Sequence, residues 1–114
     1  MYNKLLNTAK QTLETVTEAV NGLPAPQVTV LLTASHRIYT AVNDVDGAIC
    51  NTLKQHNDTK VEAMLTMWKD GCVDVASLPF RKALTETDKH NLQTAVVLCS
   101  EDGYHTKVLS ATLP

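Results

Sequence analysis

The residues best suited to chemistry are a few histidines, cysteines and carboxylates spread along the chain. One short-range pair occurs in His56-Asn57-Asp58, where a single residue separates an imidazole from a carboxylate. A hydrolytic zinc needs three protein ligands and an open fourth position, so this pair alone predicts only a weak, open metal site. The other candidate ligands have no motif spacing, so a shared metal site would require the fold to gather them: His36, His90, His105, Cys72 and Cys99.

The simpler interpretation of these scattered side chains is structural. The histidines are expected on surface turns and strand ends, and Cys72 and Cys99 as small buried thiols in or near central strands. The chain has no glycine-rich phosphate loop, no G-x-S-x-G and no H-E-x-x-H. Metal ligands or nucleophiles are therefore not indicated by any local motif.

Composition limits the classes of function. The chain has 114 residues, 44% of them hydrophobic, and a net charge of −2, which predicts one domain over residues 1–114. That charge gives no electrostatic reason to expect a nucleic-acid partner. No apolar run approaches the roughly 20 residues that span a bilayer, and the first residues lack the apolar segment of a signal peptide. Three widely spaced cysteines favour free thiols in the cytoplasm.

The first half of the chain predicts a helix followed by a hairpin. Apolar residues recur at three- and four-residue steps over residues 2–20, as on one face of a helix that ends at Asn21-Gly22 before Pro24. Residues 28–33 and 37–42 are rich in β-branched side chains and predict two paired strands. Residues 43–57 are polar and irregular, so we expect mostly loop there.

In the second half, Val61, Met64, Leu65 and Trp68 lie on one helical stripe, which predicts a helix over residues 58–71. A short strand is expected at residues 72–76, and a short helix after Ser77, with a proline in its first turn. Residues 94–99 and 104–109 predict two strands joined by a tight turn at Asp102-Gly103. The order α-β-β-α-β-α-β-β indicates a layered α/β domain.

This order and several phrases resemble the small cytidine deaminases of pyrimidine salvage. The similar stretches are "LLNTAKQTLETVTEAV", "VTVLLTASHRIYTAVND", "VEAMLTMWKDG", "SLPFRKAL" and "TAVVLCSEDGYHTKVLSATLP". The resemblance covers nearly the whole chain. It implies one mixed sheet of about five strands packed with helices, and a homo-oligomer with active sites at subunit borders.

The resemblance also implies a zinc site that can be checked. In that family, one motif H-x-E or C-x-E supplies the first ligand and the catalytic glutamate, and P-C-x-x-C supplies two further thiolates. Counted back from Gly71, the first ligand falls on Asp58 and the glutamate on Lys60. A second register uses His56 and Asp58. The cysteine pair falls on Ser77 and Phe80, or within residues 79–82, where no cysteine occurs.

The family's nucleoside contacts are also incomplete. The resemblance places Asn43 at the asparagine that holds a ribose hydroxyl, but Val45 at the partner glutamate and Ala25 at the stacking aromatic. Asn43 and Asp46 are the candidate ligand-binding residues, although Asn and Asp before Gly47 also suit a simple turn. We prefer the turn.

The sequence therefore predicts a catalytically inactive cytidine-deaminase-like protein without zinc or another cofactor. Its expected roles are self-association as a homo-oligomer, or binding of a small nucleoside-like ligand, with neither nucleic acid nor membrane as partner. The alternative is a divergent metal-dependent nucleoside or base deaminase or hydrolase, which would use His56, Asp58 and Cys72 with zinc.

Overall fold

A mixed six-stranded sheet lies between helices in the computed structural model, which describes residues 2–15 and 26–114. The strand order is β2-β1-β3-β5-β6, and β4 pairs with β3. The strands are β1 (Gln27–Thr33), β2 (Ile38–Val42), β3 (Val61–Trp68), β4 (Val73–Asp74), β5 (Ala95–Ser100) and β6 (Gly103–Val108). The helices are α1 (Tyr2–Thr15), α2 (Ile49–Gln55) and α3 (Leu78–Thr87), with 3₁₀ turns at Lys89–Gln93 and Leu109–Thr112.

Two hydrophobic clusters cover the two faces of the sheet. Side chains alternate along a strand, so Val30 packs towards α1 while its neighbour Leu31 packs towards α2 and α3. The cluster on the α1 face includes Leu5, Ala9, Leu13, Val28, Val30, Ala63, Leu65, Met67, Val73 and Val97. The cluster on the opposite face includes Leu31, Cys50, Leu53, Met64, Phe80, Leu84 and Val96. Both clusters exclude water from the central strands.

The strand pairing confirms the two predicted hairpins. β1 pairs antiparallel with β2 and with β3, and β5 pairs antiparallel with β6. β3 and β5 run parallel, so α3 lies on the crossover between them. Glu101 and Asp102 form the turn between β5 and β6, and Gly103 follows at φ 118°, a conformation that favours glycine.

The prediction of a helix over residues 58–71 is wrong, because this segment contains β3. The spacing of Val61, Met64 and Trp68 suits a helix, yet almost every residue from Val61 to Met67 is buried. A strand covered on both faces shows no alternation, and a continuous apolar run can then imitate a helical stripe. The apolar residues thus predicted correctly that this segment is buried, but their spacing indicated a helix where the structure has a strand.

The prediction of mostly loop over residues 43–57 missed α2, which occupies seven of them. Ala48 at the helix start makes no capping hydrogen bond with its side chain, so the usual sequence signal is missing there. The expected strand at residues 72–76 is confirmed only at Val73–Asp74. The stop signals Asn21-Gly22 and Pro24, and the helix predicted over residues 16–20, lie outside the described residues.

The predicted helix after Ser77 is confirmed as α3. The Ser77 hydroxyl accepts a hydrogen bond from the Phe80 amide, and Pro79 lies in the first turn, where proline costs no hydrogen bond. α1 begins at Tyr2, as its apolar stripe predicts. Within the part of the chain that the structure describes, none of the helices has the length and apolar character to span a membrane.

The expectation that Cys72 and Cys99 are buried is wrong, since both are exposed and Cys50 is the buried thiol. Burial raises the pKa of the Cys50 thiol, which lowers its thiolate fraction and hence its reactivity. We expect iodoacetamide to modify Cys72 and Cys99 within minutes in the native protein, and Cys50 only after unfolding in urea. Mass spectrometry of timed samples tests this prediction, and equal rates at the three thiols would contradict it.

Candidate functional site

The starts of α2 and α3 lie against each other on one face of the sheet. Gly47, just before α2, has φ 79°, and a Cβ built there would lie 2.7 Å from the Ala83 Cβ. The same Cβ would lie 3.5 Å from the Phe80 Cα and carbonyl oxygen. Glycine is required here for the left-handed backbone and for the close approach to α3. No side chain separates the two helices at this point.

The N-terminal amides of α2 are bound by the carboxylate of Asp44. Its Oδ1 accepts hydrogen bonds from the amides of Gly47 and Ala48 at 3.0 and 2.9 Å. Its Oδ2 accepts from the Ile49 amide at 2.9 Å. A negative charge is favourable at this end of a helix, and these bonds satisfy amides that the helix leaves free. Asp44 thus occupies the positive end of α2.

Ser77 links the start of α3 to the segment before α2. Its hydroxyl donates to the Val45 carbonyl oxygen while accepting from the Phe80 amide. The two helix starts are therefore joined by a hydrogen bond as well as by the Gly47 contact. Beside this junction, an open cavity of about 420 Å³ is lined by residues that include Asn43, Asp44, Ala48, Ile49 and Thr52.

With α2 in its true place, the zinc motifs implied by the sequence resemblance can be aligned again. The register that put the first ligand on Asp58 and the glutamate on Lys60 was counted along a helix ending at Gly71, and it loses its support because that segment contains β3. Under the same resemblance, C-x-E would instead match Cys50-Asn51-Thr52 in the first turns of α2, and P-C-x-x-C would match residues 79–83 in α3. Its two cysteine positions are then Phe80 and Ala83.

The side chains at these positions do not fit a zinc ion. Cys50 is the one thiol, and it is 5% exposed and packed in the same core cluster as Phe80. Phe80 and Ala83 cannot bind metal, and Thr52 has no carboxylate that could carry a proton. Among residues 2–15 and 26–114, no three His, Cys, Asp or Glu side chains are grouped so as to hold a metal ion.

The candidate ligand residue Asn43 closes the end of the β1–β2 ribbon. Its Oδ1 accepts from the Gln27 amide at 2.9 Å, and its own amide donates to the Gln27 carbonyl at 3.0 Å. Asn43 has φ 54°, which asparagine tolerates better than most residues. Asp46, the second candidate, is exposed in the segment before α2. Asp44, rather than Asp46, makes the backbone hydrogen bonds of this turn.

Gln27 is a buried polar residue that sequence analysis missed. It is 8% exposed, and its Oε1 is buried without a hydrogen-bond partner among the described residues. Thr29 lies two residues further along β1 and therefore shares the face of Gln27. Thr29 is paired with Thr66 of β3, and the two hydroxyls form a hydrogen bond of 2.8 Å. An unpaired buried acceptor costs about 1–3 kcal/mol, so this oxygen lowers the stability of the fold.

A second polar cluster surrounds Asp58, after the C-terminal end of α2. The Asp58 Oδ2 accepts from the hydroxyls of Thr33, Ser35 and Tyr39 at 2.9, 2.8 and 2.9 Å. Burial acts to raise the pKa of Asp58, but these three hydrogen bonds and the positive charge of Arg37 outweigh it and lower the pKa. The cluster joins the β1–β2 turn to the start of β3.

Tyr39 connects His56 to this cluster. Burial, and next the hydrogen bond to Asp58, raise the pKa of the Tyr39 hydroxyl, whose oxygen lies 3.4 Å from the His56 Nδ1. His56 and Asp58 are therefore close, as the alternative enzyme hypothesis requires. Cys72 is not close, because the eight residues of β3 span roughly 25 Å between Asp58 and the turn that holds Cys72.

The remaining histidines do not converge. His36 is exposed in the β1–β2 turn, and His105 is exposed on β6. His90 lies on the first 3₁₀ turn, with its Nε2 3.3 Å from the Glu62 carboxylate. The prediction of surface histidines is confirmed for His36 and His105, while His90 is half-buried.

Comparison with known proteins agrees with this architecture. The cytidine deaminase of Mycobacterium tuberculosis superposes with a TM-score of 0.72 at 16% identity, covering 99% of this chain and 94% of that one. The cytidine deaminase of Mycobacterium leprae gives 0.73 at 15% identity, covering 99% and 97%. No family model and no curated protein matches the sequence. The protein thus has a cytidine-deaminase-like fold, as its sequence resemblance implies.

Proposed function

We propose that this protein is a non-catalytic domain that binds a small, nucleoside-like ligand at the α2/α3 end of the sheet. The carrying observation is the set of side chains where the family's zinc site would lie: Cys50, Thr52, Phe80 and Ala83. This set supplies one buried thiol and no carboxylate, whereas hydrolytic deamination needs three ligands and a proton carrier. The fold is kept without the groups that perform the reaction.

Ligand binding is supported by polar atoms on the same side of the sheet. The structural neighbours are cytidine deaminases, and a cytidine-like base carries an amino group that can donate to a carbonyl oxygen. The buried Oε1 of Gln27 is such an acceptor. Asn43 lies directly beside it, and its Oδ1 is already bonded to the Gln27 amide, so its Nδ2 is the atom that would face a ligand.

The ligand proposal is tested by calorimetric titration with cytidine, uridine and cytosine. We expect binding by the wild type and an approximately tenfold weaker affinity for Gln27→Leu, because one hydrogen bond of about 1.4 kcal/mol is lost. Gln27→Leu should keep or increase the free energy of unfolding, since the unpaired acceptor is removed. Gln93→Leu, at an exposed glutamine, is the matched control and should bind as the wild type does.

Absence of binding by the wild type to all three compounds would reject the ligand proposal.

The enzyme alternative, a metal-dependent deaminase or hydrolase using His56, Asp58 and Cys72, is tested on the same preparation. We expect less than about 0.1 zinc per chain after dialysis and no loss of cytidine absorbance, because the donor set is incomplete. One tightly held zinc per chain, with turnover, would overturn the non-catalytic proposal.

Self-association is a second candidate function, and the outer edge of the sheet favours it. All six residues of β6 are exposed, including Tyr104 and Val108. Exposed edge strands with apolar side chains are common points of pairing between chains.

We also propose that the protein acts in the cytoplasm, where the free thiols of Cys72 and Cys99 would stay reduced.

A further inference from the structure

β6 presents a row of backbone hydrogen-bonding groups along its outer edge. It is the last strand in the order β2-β1-β3-β5-β6, so β5 pairs with only one of its sides. The Leu109 amide donates to the Thr94 carbonyl at 2.8 Å and therefore points towards β5. Because these groups alternate in direction along a strand, the amides and carbonyls of Tyr104, Thr106 and Val108 point away from β5.

The same three residues carry the apolar surface of the strand. Tyr104 is 51% exposed and Val108 42% exposed. Thr106 lies two residues from each of them along the strand, so all three side chains point to the same face of the sheet. This is the α1 face, because Thr106 is paired with Val97, a member of the cluster that packs on α1.

The surface beside Tyr104 continues this apolar face. Tyr104 lines a cavity of about 230 Å³ together with Tyr2, Leu6, Leu65 and Val97. A side chain from a molecule paired with β6 would reach it from the open edge. The edge therefore offers both backbone groups and a mostly apolar recess, which Asn3 also lines, on the same side.

We propose that β6 pairs antiparallel with β6 of a second copy of this chain, about a two-fold axis at Thr106. This rests on self-association, the second proposed function, and assigns the surface for it. In this register Thr106 faces Thr106 of the other copy, and Tyr104 faces Val108 of the other copy in both halves. The outward groups of all three residues are used, which gives about six hydrogen bonds.

The self-complementarity of the strand favours a second copy as the occupant. An aromatic side chain opposite a β-branched one is a favourable cross-strand pair, and the symmetry forms this pair twice. Lys107, the charged residue of β6, lies on the opposite face of the sheet and does not separate Tyr104 from Val108. Moving the axis by one residue, to His105, would leave Val108 outside the paired strand and would oppose Tyr104 to threonine.

Proline at position 106 tests the pairing without breaking the β5–β6 hairpin. The Thr106 amide faces outward, so Thr106→Pro removes the two hydrogen bonds between the Thr106 residues of the two copies and none to β5. By sedimentation equilibrium we expect the wild type at twice the chain mass of 12.5 kDa. We expect Thr106→Pro to raise the dimer dissociation constant at least tenfold.

Thr40→Pro is the matched control on the other edge of the sheet. The Asn43 amide donates to the Gln27 carbonyl, so by alternation the Thr40 amide also points away from its neighbour β1. This variant should dimerise as the wild type does. If Thr106→Pro fails to fold by circular dichroism, Tyr104→Lys replaces it, because a charge opposite Val108 disrupts the same pair.

The outcomes separate the surface from the function. A dimer that persists unchanged in Tyr104→Lys and in folded Thr106→Pro would overturn the β6 surface and leave self-association standing. A wild type that stays monomeric at about 1 mM chain would overturn both. Neither result bears on ligand binding at Gln27, which is measured separately.

Discussion

Gly47→Ala is expected to lower the free energy of unfolding by about 3 kcal/mol. The positive φ of 79° costs an alanine about 1 kcal/mol. The added Cβ would then lie 2.7 Å from the Ala83 Cβ, so α2 and α3 must separate, and such overpacking costs about 1–3 kcal/mol. Urea unfolding followed by circular dichroism measures the loss. A large loss means that the segment before α2 touches α3 at Gly47.

Two variants separate the backbone cost from the contact. Gly71→Ala also has a positive φ, 91°, but its Cβ would meet nothing within 4 Å, so about 1 kcal/mol should be lost. In an Ala83→Gly background, Gly47→Ala should cost at least about 1 kcal/mol less than in the wild type, because the clashing methyl is gone. If Gly47→Ala costs no more than Gly71→Ala, the helix starts are not in contact.

Asp58→Asn is expected to cost about 2 kcal/mol at pH 7, because three hydroxyls lose a charged acceptor in a buried site. The pKa of Asp58 is lower in the folded protein than in the unfolded chain. Its contribution is therefore complete above the unfolded value of about 3.9 and disappears as the pH falls through the folded pKa. The cost of the substitution should shrink accordingly below about pH 4.

Denaturant unfolding at pH 7, 5, 4 and 3 tests this dependence. Asp46→Asn, at an exposed carboxylate, is the control and should change the unfolding free energy by less than about 0.5 kcal/mol. Asp88 has a lowered pKa through its hydrogen bonds to the His90 amide and Thr59, so wild-type stability still falls in acid when Asp58 is replaced. A cost of Asp58→Asn that is the same at pH 7 and pH 3 would show that the charge contributes nothing.

Local sequence signals were sufficient to predict an element where one of its faces is exposed to water. They were also sufficient where a turn or helix start needs a particular residue, such as glycine or serine. The β1–β2 hairpin, α3 with its Ser77 cap, and the turn before Gly103 all follow from such signals. β3 could not be recognised this way, because both of its faces are buried and no alternation remains. Its partners, β1 and β5, come from distant parts of the chain.

The candidate site was harder to predict because it depends on the position of α2. This helix has seven residues, and its amides are bound by Asp44 rather than by the residue at the cap. Had α2 been recognised, Cys50-Asn51-Thr52 would have matched the family's first motif in part. The environments of Gln27 and Asp58 arise from tertiary contacts, and neither has a local signature.

Asp58 and Gly47 lie beyond opposite ends of α2. The hydroxyls that bind Asp58 belong to the β1–β2 hairpin, whereas Gly47 contacts α3. Their energetic contributions are therefore separable. Substitutions around Cys50, Phe80 and Ala83 should therefore leave the hydrogen bonds between Asp58 and the β1–β2 hairpin intact. Designs that target one end of α2 can accordingly be assessed without a matching change at the other end.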